Sequence, residues 1–245
     1  MQLTRVFLDI ETLPPDEERL KTLDPKRVRR LLKKRKGTGD DCEGCTEEEI
    51  RSLSLHAEYG RVLSIAVIVE QDDGSILHRG VLGRDRETRL FHCDEPRVLR
   101  AFWALLATFD VSRDVIVGHN VFWDLKFLRK RSLVNRIRPS VHLTFARYRC
   151  QPIYDTQQEW CTWDYGAYIT LDDLADVLGV GFGKTEGMHG SRVYDEYRAG
   201  NHERIAEYNL RDVELVRAIY YRLVAPEAEV VGPEAEAIAA APAGR

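Results

Sequence analysis

The chain has 245 residues, with 36 Lys and Arg against 40 Asp and Glu, a formal charge of −4, 44% hydrophobic and 31% charged residues. That composition supports a sizeable core and excludes a disordered chain or a small disulfide-stapled scaffold; the mild acidity argues against nucleic-acid binding through bulk charge but allows a local basic groove or an acidic, metal-binding cluster. Five scattered cysteines suit reduced thiols, no run nears the apolar length of a membrane span, and the opening MQLTRVFLDIET enters a strand pattern directly, so the expectation is a cytoplasmic protein with no membrane attachment.

Arg5 to Thr12 reads as a strand, because Val6, Leu8 and Ile10 alternate with Phe7, Asp9 and Glu11. A charged insertion follows from Leu13 to about Gly60, with a helix after Asp24-Pro25, a loop at Gly37 to Asp41 and a capping box at Thr46 and Glu49. Within it, Lys26 to Lys36 carries eight basic residues of eleven. On a helix this is either a cationic surface able to track phosphates or a solvated face balanced by Asp40, Asp41 and Glu47 to Glu49. Arg61 to Gln71 and Ile76 to Leu82, joined by Asp72-Asp73-Gly74, form a hairpin pattern. Phe102, Leu105, Leu106 and Phe109 recur at helical spacing behind Asp94-Glu95-Pro96. Val115 to Val117 is a short strand running through Gly118-His119-Asn120 into a helix with Trp123, Phe127 and Leu128, and Ile153-Tyr154 is another short strand.

Thr170 and Asp173 open a helix through Leu178, followed by a glycine-punctuated loop to Gly190 whose Lys184 lacks Walker spacing. From near Asn201, the steps Ile205, Tyr208, Asp212, Leu215, Ile219 and Leu223 give a long helix with a buried stripe, its exposed positions assigned to Glu203, Arg204, Arg211, Glu214 and Arg217. Residues 225–245 are Ala, Pro and Glu biased and read as a disordered tail. The order predicts a single α/β domain over residues 1–224 with a mixed sheet.

Four acids stand where acids are costly. Asp9 and Glu11 share a strand face, for which a polar solvent face is the plain alternative. Asp124 shares a helical stripe with Phe127 and Leu128, although an Asp in a first turn also complements the helix dipole. Asp212 lies in the apolar stripe of the last helix, where it needs a cation or strong donors, an Arg from elsewhere being one candidate. Acids gathered this way repel one another unless counter-charge sits between them. Oxygen ligands without His or thiolate favour magnesium or manganese, and such ions work in pairs about four ångströms apart on phosphoryl substrates. Cys42 and Cys45 form a lone CxxC, and Cys93, Cys150 and Cys161 supply no second pair for zinc.

Phe7-Leu8-Asp9-Ile10-Glu11-Thr12, Gly118 to Leu128 (GHNVFWDLKFL) and Tyr208-Asn209-Leu210-Arg211-Asp212 resemble the three motifs of the DnaQ-like, or DEDD, 3′-5′ exonucleases. Glu207 stands five residues before the last acid and Tyr208 four before, so the chain is similar to the DEDDy branch, in particular to bacterial proteins predicted from likeness to the exonuclease domain of family B DNA polymerases. The resemblance implies an RNase H-like fold with a mixed five-stranded sheet flanked by helices, two magnesium or manganese ions, and release of nucleoside 5′-monophosphates from a 3′ end. It implies that Asp9 bridges both ions, that Glu11 and Asp212 complete one site and Asp124 serves the other, and that Tyr208 orients the attacking water. It also implies that Ile10, Thr12, His119, Asn120, Phe122 and Trp123 contact the terminal nucleotide. Trp123 stands where the second motif often has Phe.

Helical spacing places the Tyr208 hydroxyl beside Asp212, and a phenol with an ordinary pKa of about 10 suits positioning better than proton abstraction. Phe122 and Trp123 can stack on a base, although one of them is expected in the core. Asp155, after Ile153-Tyr154, either supports the site or ends its strand in a turn. The expected substrate is single-stranded or frayed DNA. The alternatives are short RNA, for which no 2′-hydroxyl reader is visible, and a non-catalytic nucleic-acid-binding module on the same fold.

Overall fold

The computed structural model describes residues 4–32, 44–164, 166–181 and 187–227. Lys33 to Lys36, Cys42, Lys184 and the tail from 228 onward lie outside them, so the readings placed there are not addressed further.

A five-stranded sheet forms the frame, in the order β3-β2-β1-β4-β5, from β1 (Thr4–Leu13), β2 (Arg61–Gln71), β3 (Ile76–Leu82), β4 (Val115–Gly118) and β5 (Ile153–Asp155). The first three strands are antiparallel, β1 and β4 are parallel, and β4 and β5 are parallel, which makes the sheet mixed as expected. The β2–β3 hairpin turns at Gly74, whose φ of 82° suits a residue without Cβ.

β1 is central, and both of its faces are covered. Val6, Leu8 and Ile10 pack with Val98, Leu99 and Phe102 of α4 (Glu95–Leu105) and with Leu125 and Leu128 of α5 (Val121–Val134). On the other face, Phe7 meets Val213, Val216 and Tyr220 of α9 (His202–Val224). The alternation in β1 therefore separates two buried faces, and a polar solvent face for Asp9 and Glu11 is excluded because α9 lies over it. Helices on both sides of a mixed sheet complete the α/β, RNase H-like arrangement.

Local signals account for most boundaries. Asp94 caps α4 with Pro96 in its first turn, and Thr170 caps α7 (Leu171–Val177). The insertion contributes α1 (Glu17–Lys21), α2 (Pro25–Leu31) and α3 (Glu47–Ser52), the last opened by the full Thr46–Glu49 capping box. Val28 and Leu53 anchor it with fully buried side chains, and Arg29 pairs with Glu49, so this cation serves local charge balance. Two short helices carried no strong periodic signal, α6 (Thr156–Trp160) and α8 (Val193–Arg198). The polar positions of α9 are tied down too: Arg211 binds Asp172, Arg217 binds Glu70 and Glu214 binds Arg79. The helix is thus buried over a wider arc than one stripe, because β1 and β2 lie under one side of it and α7 flanks another. Among the described residues, no helix is long and apolar enough to cross a membrane.

Candidate active site

Past Phe7, the α9 face of β1 continues to Asp9 and Glu11, while α9 presents Asp212 and, one turn earlier, Tyr208. One oxygen from each of Asp9, Glu11 and Asp212 comes within 4.8 Å of the others. Glu11 and Asp212 are buried and Asp9 is partly so. The chain path shifts by one residue between Glu11 and Thr12, where β1 bulges against β2.

The electrostatics are those of an under-neutralised cluster. Burial raises the Asp9 carboxyl well above the ordinary range and Asp212 raises it further, against a hydrogen bond from Asn209. Burial likewise raises Glu11, to which Asp9, Asp212 and Asp124 add their charge, and among the described residues no side chain donates to its carboxylate. Asp212 is pushed up to about 6 by burial, against hydrogen bonds from Tyr208 and Arg211. Arg211 Nη1 donates to Asp212 at 3.0 Å while its Nη2 donates to Asp172 at 2.7 Å, so one guanidinium is divided between two acids. An all-oxygen donor set with this surplus of negative charge fits a hard divalent cation.

Asp124 enters from the opposite side, buried at the start of α5 and outside the group of three. Its carboxyl is raised by burial first and then by Asp9 and Asp155, so it faces the same charge. Gly118 lets α5 approach this closely: a Cβ there would stand 2.6 Å from Val121 and 3.0 Å from the Leu8 carbonyl oxygen. Asp155 turns out to be a double cap. It accepts from the backbone of Asn120 at 2.9 Å and Phe122 at 3.4 Å on α5, and from Gln157 and Gln158 on α6. It therefore fixes the start of the Asp124 helix, a role beyond that of a strand-end turn former.

A family model described as a predicted 3′-5′ exonuclease related to the exonuclease domain of PolB matches residues 53–239. The chain belongs to this family. No curated protein matches it. The family match begins after β1, so the strand that carries Asp9 and Glu11 lies outside it and is joined to the matched region by sheet pairing with β2 and β4.

The other residues singled out in this exonuclease-family chain separate into distinct surroundings. Ile10 is 6% exposed in the core on the face away from the acids, so its side chain is turned from the cluster. Thr12 is half-buried past the bulge. His119 has both ring nitrogens engaged, Nδ1 with Thr156 Oγ1 at 3.0 Å and Nε2 with the Ile169 carbonyl at 2.9 Å, and burial lowers its pKa. A neutral ring held at both ends pins β4 to the 156–169 segment and has no nitrogen left for a nucleotide. Asn120 is exposed in the left-handed region at φ 55°. Phe122 and Trp123 are half-buried beside it and border a cavity of about 600 Å³, and neither is fully core.

One site residue escaped sequence reasoning. Asn209 has no exposed surface; its Nδ2 donates to Asp9 Oδ2 at 2.7 Å and its Oδ1 accepts from the Ser64 hydroxyl at 3.0 Å. A polar residue three positions before Asp212 on the inward side of α9 was the available signal.

Proposed function

We propose that the protein is a metal-dependent 3′-5′ exonuclease of the DEDDy type that removes nucleoside 5′-monophosphates from single-stranded or frayed DNA. The observation that carries this is the convergence of Asp9, Glu11 and Asp212 oxygens within 4.8 Å, with Asp124 facing the same charge. In this reading Asp9, Glu11 and Asp212 would hold metal together, and Asp124 would contribute from α5. Two Mg²⁺ or Mn²⁺ ions bound there would supply a hydroxide nucleophile and stabilise the attacking and leaving oxygens.

The protein's own groups do the remaining work. Tyr208, hydrogen-bonded to Asp212, is kept protonated by burial and by the charges of Glu11, Asp212 and Asp9, so it orients the attacking water and is no general base. Asn209 fixes the rotamer of Asp9, and Asp155 fixes the helix that carries Asp124. Family membership, through relation to the PolB exonuclease domain, supports DNA as substrate. A binding module without catalysis accounts poorly for a buried acid cluster that would repel a polyanion.

The test is a timed digestion of matched 5′-labelled DNA and RNA oligonucleotides with Mg²⁺, Mn²⁺ or EDTA. Stepwise shortening from the 3′ end that needs metal and is faster on DNA is expected. Faster loss of RNA would move the substrate to short RNA, and metal-independent cleavage, or binding without cleavage, would overturn the reading.

A further inference from the structure

The 600 Å³ cavity at the start of α5, the helix that carries Asp124, has an aromatic wall. Phe122, Phe145, Tyr148 and Trp163 form a connected aromatic series: Phe122 lies 5.7 Å from Trp163 and 6.5 Å from Phe145, and Tyr148 lies 5.4 Å from Trp163. Lys126 stands over the rings of Phe122 and Phe145, and Arg147 borders the same space. Leu31 at the end of α2, and Leu55 and His56 from the segment that follows α3, border the same space.

Three of the seven non-glycine residues with positive φ among the described residues border this cavity. Asn120, Tyr148 and Trp163 all line the cavity and all have φ between 55° and 61°. For bulky side chains that region is unfavourable, and such residues persist where the surrounding structure holds them, often at ligand clamps. Tyr148 is moreover 72% exposed, an aromatic ring held toward solvent in a conformation that hydrophobic burial does not explain.

We propose that this groove holds the unpaired strand behind the scissile nucleotide, its bases stacking on Trp163 and Tyr148 and its phosphates drawn to Lys126 and Arg147. The occupant follows from three features: continuity through α5 with Asp124, a rim on which Lys126, Lys130 and Arg147 outnumber Glu58 and Asp164, and aromatic faces that accept any base. Leu31, Leu55 and His56 then border the same track, and a strand whose bases are free to stack is preferred over a duplex. This inference rests on the nuclease reading for its direction along the strand, while the stacking groove itself can be tested separately.

The experiment is fluorescence-anisotropy titration of a short labelled oligodeoxythymidylate with the full chain in EDTA, where no cleavage intervenes. Trp163→Ala and Tyr148→Ala are each expected to weaken binding about five- to fiftyfold. Trp163→Phe should restore most of the affinity by keeping a stacking face, which separates stacking from misfolding. Lys126→Gln should flatten the salt dependence. Leu77→Ala, on the distant edge strand β3, should leave binding unchanged. A blunt duplex should compete poorly. Unchanged affinity in Trp163→Ala, no binding by the wild type, or equal competition by duplex would overturn the groove. Cleavage with Trp163-independent binding removes the groove and spares the nuclease; Trp163-dependent binding without metal-dependent cleavage does the reverse.

Discussion

Glu95 and the acids at Asp9, Glu11 and Asp212 are all carboxylates withdrawn from water, but their surroundings differ in a way that separates scaffold from site. Glu95 is 6% exposed and fully served. One oxygen accepts from Val62 N at 2.8 Å and Arg131 Nε at 2.9 Å, and the other from Arg131 Nη2 at 2.7 Å and Asn135 Nδ2 at 2.8 Å. A bidentate guanidinium belongs to one acid there, and Arg131 Nη1 donates to the Ala57 carbonyl. In the cluster, one guanidinium is divided between Asp212 and Asp172, an amide serves Asp9 and, among the described residues, no side-chain donor serves Glu11. Burial with complete pairing builds a fold, whereas burial with charge left over calls for an ion.

The largest expected effect breaks the cluster itself. Asp9→Ala or Asp212→Ala should lower the rate of 3′ shortening at least about a thousandfold, as loss of metal-centred stabilisation requires. Melting temperature in EDTA should fall little or rise. Breaking Glu95 should do the opposite. Glu95→Ala leaves Arg131 buried without its partner and is expected to cost about 3 to 5 kcal/mol in urea unfolding, with turnover per folded molecule preserved. Equal effects of the two changes on stability and activity would erase the distinction.

Smaller changes sharpen it. Tyr208→Phe removes only a hydroxyl that positions water and should lower kcat about a hundredfold with the KM for the oligonucleotide little changed. Asn209→Ala frees Asp9 and leaves Ser64 without an acceptor; about a tenfold loss of kcat is expected, together with a higher Mn²⁺ requirement. A higher Mn²⁺ requirement marks a positioning role, because a merely destabilised fold would keep its metal dependence.

The strands along the chain and the last helix were legible because β-branched runs and a repeat of three and four survive in any context: β2, β3 and α9 follow their patterns closely. The acids were legible because a carboxylate on an apolar stripe conflicts with burial unless something compensates. Asn209 was not, since an Asn adjacent to Tyr208 looks like an ordinary helix residue until Ser64 and Asp9 are placed on either side of it by strand pairing. Asp155 was half legible: its position after Ile153-Tyr154 suggested a turn, but capping two helices at once depends on β5 lying beside β4. His119 looked available to substrate because the partners that consume both its nitrogens lie 37 and 50 residues away. The aromatic groove escaped for the same reason, its rings coming from α5 and two irregular segments with no shared period.

The most direct test of the leftover charge is thermal unfolding of the metal-free protein against pH, with Glu11→Gln beside the wild type. Asp212 titrates near 6 in the folded state, above its ordinary value, so folding binds protons in that window and stability from this cluster is present at low pH and lost as pH rises through about 6. The wild type in EDTA should therefore lose melting temperature between about pH 4 and 6, and Mn²⁺ should restore stability, by about 2.7 kcal/mol at a hundredfold excess over Kd. Glu11→Gln, one charge fewer, should melt higher in EDTA at pH 7 and gain less from Mn²⁺. A wild type indifferent to Mn²⁺, or a Glu11→Gln variant destabilised as Glu95→Ala is, would contradict the account.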